Sequence, residues 1–132
     1  MSNPYQQSLD LEVLTASPIE LVVLLYQGAI GAVDAAKRSL AEGDIKERSR
    51  QITKACSLLG ELAASLNSAM APELSAHLRD LYGYMHRRLC QANIEQTVEP
   101  LDDVRNLLST LLEGWRAAAQ QETAIEEAQL VA

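Results

Sequence analysis

The sequence predicts an all-α protein: an antiparallel up-down-up-down four-helix bundle with a short N-terminal arm. Three observations lead there. Apolar residues recur at helical spacing through four long stretches, the period of a buried helix face. Helix-start signals (Ser17-Pro18-Ile19-Glu20, and Asp44 with Glu47) and a stop signal at Gly43 punctuate them. The breaks between stretches are short, so consecutive helices should be antiparallel neighbours.

Taken in order, residues 1–16 form the arm. Ser17-Pro18-Ile19-Glu20 reads as a capping box, in which Ser17 and Glu20 satisfy each other's backbone N–H groups. Pro18 takes the first helical position, where its missing N–H costs nothing. The first helix should run from Pro18 to about Glu42, with Gly43 as its stop. Asp44 and Glu47 form a second capping box, for a helix reaching Leu66 or Asn67. The stretch 67–72 is the next break, and Pro72 opens a third helix to about Glu95. Gln96 to Glu99 connect it to a fourth helix, opened by Pro100 and running to about Gln121. The Ala- and Glu-rich tail, 122–132, either extends that helix or frays. The whole reads as one domain of 132 residues, with the bundle over 17–121.

The second helix presents Ile45, Ile52, Ala55, Cys56, Leu59, Leu62, Ala63 and Leu66, with Leu58 outside the stripe. The third presents Leu74, Leu78, Leu81, Tyr82, Met85, Leu89 and Ala92. The fourth is wider, from Leu101 through Leu107, Leu108, Leu111 and Leu112 to Trp115. The first differs from all of them. Its apolar residues, from Ile19 through Ala36, cover about 200° of the wheel, roughly twice what one buried face needs. Such a surplus must be covered or it forms an interaction patch. Either both neighbouring helices seal it, or the arm folds over it, or a partner segment lies in a groove beside it. The last two are compatible, because an arm can guard a groove until a partner displaces it. Val22, Tyr26, Ala29, Ile30 and Val33 would form the track on the first helix, with Leu107 and Leu111 contributed by the fourth.

Composition narrows the function classes. Net charge is −7, and such a surface repels nucleic-acid backbones and anionic lipid. The start of the chain lacks a basic segment followed by an apolar run, so it does not read as a signal peptide. The longest apolar run, Leu21 to Tyr26, is short of the ~20 residues of a membrane span. These features predict a cytoplasmic protein without membrane insertion or nucleic-acid binding. Cys56 and Cys90 lack metal-ligand or disulfide-framework spacing and read as reduced, part-buried thiols.

No catalytic, cofactor or metal site emerges. His77 invites comparison with a histidine phosphotransfer domain, but Arg79-Asp80 follow it, and Asp80 would repel a phosphoryl group. Asp102-Asp103 sit in the first turn of the fourth helix, where negative charge suits the helix dipole. No nucleophile–base–orienter set and no Gly-rich phosphate loop is present. A self-associating helical adaptor is the other non-enzymatic reading, and a homodimer stays open.

The run Thr15-Ala16-Ser17-Pro18-Ile19-Glu20-Leu21-Val22-Val23-Leu24-Leu25-Tyr26-Gln27-Gly28-Ala29-Ile30 resembles the signature of the FliS family of flagellin export chaperones. Asn3-Pro4-Tyr5, Gly43-Asp44, Leu81-Tyr82, Ala92-Asn93 and Trp115 extend the likeness over about residues 3 to 119. Gln27 stands where that family usually has Asp, Thr97 also replaces an Asp, and Ala71-Pro72 replaces a Gly-rich turn. The resemblance implies a cytoplasmic chaperone that binds the disordered C-terminal segment of flagellin. It would prevent premature polymerisation and deliver the subunit to the flagellar type III export gate. It also implies that Tyr5, on the arm, plugs part of the groove when the client is absent.

Overall fold

The computed structural model describes residues 18–67, 69 and 71–131. Ser17 and the arm, Tyr5 included, lie outside the described residues. Four helices follow in order: α1 Pro18–Glu42, α2 Ile45–Ala64, α3 Pro72–Glu95 and α4 Glu99–Val131. Each packs against two others, α1 on α2 and α4, α3 on α2 and α4. The helices close into a ring, the four-helix bundle expected from the short connections.

The helix ends show why the chain turns where it does. Gly43 has φ +74°, a left-handed conformation that glycine adopts without steric cost. Its N–H donates to Leu40 O, and the Asp44 N–H donates to Ser39 O, which is the Schellman pattern for ending a helix. The Asp44 carboxylate accepts from the Glu47 N–H at 3.1 Å. The reciprocal half of the expected capping box is absent, because the Asp44 N–H is already committed to Ser39. Glu47 turns instead to Arg50 and Gln51.

Two boundaries differ from expectation. α2 stops at Ala64, before Leu66. There the Ser65 hydroxyl donates to Leu62 O at 2.7 Å, a local bond that competes with further helix. α4 does not stop near Gln121 but continues to Val131, 33 residues in all, about 50 Å at helical rise. The tail is therefore helical through Val131.

The core is aliphatic, with Leu59, Leu62, Leu89, Leu101, Val104 and Leu108 all nearly or wholly out of solvent. α1 supplies Ala29, Ala32, Val33 and Ala36, small residues that let α2 come close. A Cβ added at Gly28 would meet Leu58 Cδ1 at 3.2 Å, so Leu58, expected off the stripe, packs into this seam. Ile45 and Leu74, expected on buried stripes, are 57% and 55% exposed. Both sit in the first turn of a helix, at an end of the bundle.

Polar contacts tie the helices together. Asp34 pairs with Arg105 at 3.1 Å and Lys37 with Asp102 at 2.6 Å, joining α1 to α4. Asp103 accepts from Arg88 and from the Tyr84 hydroxyl, joining α4 to α3. The Asp102-Asp103 pair thus does more than meet the helix dipole. Arg48, almost fully buried, donates to the side-chain and backbone oxygens of Asn93, and Ser49 donates to the same side chain. That set fixes the register of α2 against α3. By length and composition α1 is apolar enough to cross a membrane. Its inner face instead builds the bundle core, and its ion pairs bind it to α4.

Candidate binding surface

The surplus apolar width of α1 is not spread evenly along it. Ile19, Leu21, Val22, Val23, Leu24 and Leu25 are all half-buried, and none of them is sealed. Val22, Val23 and Leu25 also pack against the core. From Tyr26 onward the inward residues are closed off: Tyr26, Ala29 and Val33 have no exposed area. Spaced by three and four, they share one face, and that face points at the bundle axis. Three residues of the expected track thus lie inside the bundle. Tyr26, Ala29 and Val33 support the surface from behind and do not line it in this conformation.

Tyr26 is held in place by bonds as well as packing. Its hydroxyl lies 2.6 Å from that of Tyr82 on α3, spanning the diagonal of the bundle. The Tyr26 ring centroid lies 6.4 Å from that of Tyr82 and 6.4 Å from that of Trp115. Burial raises the pKa of Tyr26, while its hydrogen bonds partly oppose that rise. Burial, then the bond to Tyr26, raises Tyr82 much further. Both phenols stay protonated and act as a neutral polar pin inside an apolar core.

Of the other expected site residues, Val22, Ile30, Leu107 and Leu111 are half-buried and packed at the edge of the core. They do not form one groove. Ile30 lies one turn from Asp34, whose partner is Arg105, so it faces the α1–α4 seam. Leu107 and Leu111 follow Asp103 at steps of four, and Asp103 faces α3. The structure thus separates two apolar tracts. One is the start of α1. The other lies at the α3–α4 seam, where the antiparallel register set by Asp103 brings Leu81 level with Leu107 and Leu111.

The sequence did not mark Ile19, Leu21 and Leu24 as surface residues, Leu74 as exposed at a helix end, or Leu81 as a seam residue. The position of Leu74 in the first turn of its helix was the available signal, since helix ends reach beyond a bundle's core. Among the described residues no group of three His, Cys, Asp or Glu side chains could hold a metal. His77 and His86 are exposed on α3.

Comparison with known proteins adds an independent line. The family described as "Flagellar protein FliS" matches residues 1–122. The flagellar secretion chaperone FliS of Salmonella typhimurium is 34% identical over 112 residues, covering 84% of this chain and 83% of that protein. FliS of Bacillus subtilis is 33% identical over 122 residues, 92% of this chain and 90% of its own. The flagellar secretion chaperone FliSB of Pseudomonas aeruginosa is 36% identical over 112 residues, 84% and 89% of the two chains.

Proposed function

The chain belongs to the FliS family of flagellar secretion chaperones, and from that premise we propose that it holds the C-terminal segment of flagellin in the cytoplasm. The family is one of chaperones, not enzymes. In this reading the bound segment cannot polymerise, and the chaperone hands it to the flagellar type III export apparatus.

One observation carries the proposal: six apolar side chains in the first two turns of α1, Ile19 and Leu21 to Leu25, remain half-open to solvent around the helix. A segment that orders on binding loses conformational entropy and needs a long apolar surface to offset it. An amphipathic client helix would seat its apolar residues against such a track. The seam residues Leu81, Leu107 and Leu111 offer a second apolar strip for a client longer than one helix. The arm, with Tyr5, would compete for the first strip.

The test is direct. Purified chain mixed with monomeric flagellin should keep it from forming filaments in a sedimentation assay, and flagellin lacking its C-terminal segment should not bind. Unimpeded polymerisation, or equal binding of the truncated flagellin, would refute the reading.

A further inference from the structure

α4 runs on past the bundle it belongs to. The ion pairs Asp34–Arg105 and Lys37–Asp102 set α1 antiparallel to α4, so Pro18 comes level with about Gln121. Asp103, bonded by Tyr84 and Arg88, likewise brings Pro72 level with about Ala117. Residues 122–131 therefore project beyond the starts of both neighbours, by about 15 Å at helical rise. Every side chain from Thr123 to Val131 is exposed. Ala124, Ile125, Ala128 and Val131 share one side of this extension. Ala128 lies roughly 160° to 200° around the helix from Leu112 and Leu108, which are buried in the core. The apolar side of the extension thus faces away from its own bundle. Its charges are all negative: Glu122, Glu126 and Glu127. None of them enters an ion pair among the described residues, and the last turn of α4 holds no basic residue. Carboxylates at the negative end of a helix dipole are unfavourable until a cation approaches.

The outer face of α3 is the complement. Arg79, Gly83, Arg87, Cys90 and Ile94 follow one another at steps of four and three, so they share one side. That side lies opposite the buried Leu78, Met85 and Leu89. A shallow cleft of about 310 Å³ opens along its end, lined in part by Arg87, Cys90 and Ile94, and Ile94 is 79% exposed. Gly83 and Cys90 are short enough to let a second helix come close, and the Arg87 guanidinium lies over Gly83, with Nη1 3.4 Å from where a Cβ would stand. Arg79 and Arg87 enter no ion pair among the described residues. With Asp80 at its edge the face is still net positive. The extension cannot reach this face within one chain. It leaves the bundle at the Pro72 end of α3, and Ile94 lies about 33 Å away along that helix.

We propose that the α4 extension of one copy docks on the outer face of α3 in a second copy, joining the chains head to tail. Ile125, Ala128 and Val131 cover the cleft and Ile94. Glu122 and Glu127, one on each flank of that apolar line, meet Arg87 and Arg79. The two surfaces differ, so the contact is heterologous, and each copy offers one surface of each kind. A helix of this length covers a small area, which places the contact in the weak class of interfaces. Its exposed charge pairs make it sensitive to salt. The apolar strip at the start of α1 takes no part, so the self-association is independent of the client proposal.

The experiment is sedimentation of the full chain, without client, over roughly 5 to 500 μM, the range of a weak contact. The average mass should be that of one chain at the dilute end and should rise with concentration, less so in roughly 0.5 M salt. Ile125→Asp and Arg87→Glu both change exposed residues, and each variant alone should stay monomeric. Mixed together they should pair one to one and stop at two chains, because Arg87→Glu keeps a working extension and Ile125→Asp keeps a working α3 face. Leu24→Asp, in the α1 strip, should associate as the wild-type chain does. A wild-type chain that stays monomeric throughout would overturn the proposal. So would single variants that associate like the wild type, a mixture that stays monomeric, or a loss of association in Leu24→Asp.

Discussion

Ile19 to Leu25 and Tyr26 to Ser39 belong to one continuous helix, yet only the second stretch contains side chains sealed from solvent. The second stretch also carries the ion pairs of Asp34 and Lys37 to α4. It contributes Ala29, Ala32 and Ala36 to the close contact with α2. The first stretch is as apolar but larger in its side chains, and its neighbours do not enclose it. One helix therefore performs two tasks in series: its end builds the bundle and its start offers an apolar strip.

Breaking the second stretch should have the largest effect. Ala29→Asp places a carboxylate at a position with no exposed area. Uncompensated burial of that kind should cost about 4 kcal/mol or more, and urea unfolding monitored by circular dichroism should show a lost or far weaker transition. Val22→Asp, in the first stretch, should instead leave a folded bundle. It should weaken binding of the flagellin C-terminal peptide by roughly tenfold to a hundredfold, the scale of an interface anchor, read by titration calorimetry. If both substitutions unfold the protein alike, the division of α1 into two tasks is wrong.

A smaller effect sharpens the same contrast. Tyr82→Phe removes one hydroxyl of the diagonal pin, and losing a net hydrogen bond costs about 1 kcal/mol. The midpoint of unfolding should fall modestly, Trp115 emission should change, and client affinity should stay put. The smallest effect concerns pH. The bonds from Tyr84 and then Arg88 hold the Asp103 carboxyl below its ordinary range. A depressed carboxyl adds stability above its unfolded-state value, about 3.9. That contribution is lost as pH falls through the lower folded-state value. Asp103→Asn should lower stability slightly near neutrality, with the gap to the wild-type chain closing as pH falls below about 4 and the acid limb flattened.

Much of the fold was legible in the sequence because its signals are local. Pro18 and Pro72 open helices, Gly43 closes one, and Asp44 caps the next, all within a few residues of chain. The stripes on α2 and α3 mostly point inward for the same reason. What escaped notice was nonlocal. Nothing local in the sequence sets Arg48 apart from other cations; only the fold brings Asn93, on another helix, beside it. Ile45 and Leu74 have helical periodicity but lie where the bundle runs out. The placement of the expected track was hidden for a related reason. A helical wheel adds all turns together, so the width of α1's apolar face was visible, but not that the inward line through Tyr26, Ala29 and Val33 is sealed. Leu107 and Leu111 needed the partners of Asp103 to show which flank of α4 they occupy.

The most direct test of the account lies in Leu24, a half-buried residue of the open stretch outside the core cluster. Leu24→Asp should melt within a degree or two of the wild-type chain, the small shift of a surface change, while its affinity for the flagellin C-terminal peptide falls by at least about tenfold. Wild-type affinity in that variant would contradict the assignment of the client strip to the first turns of α1.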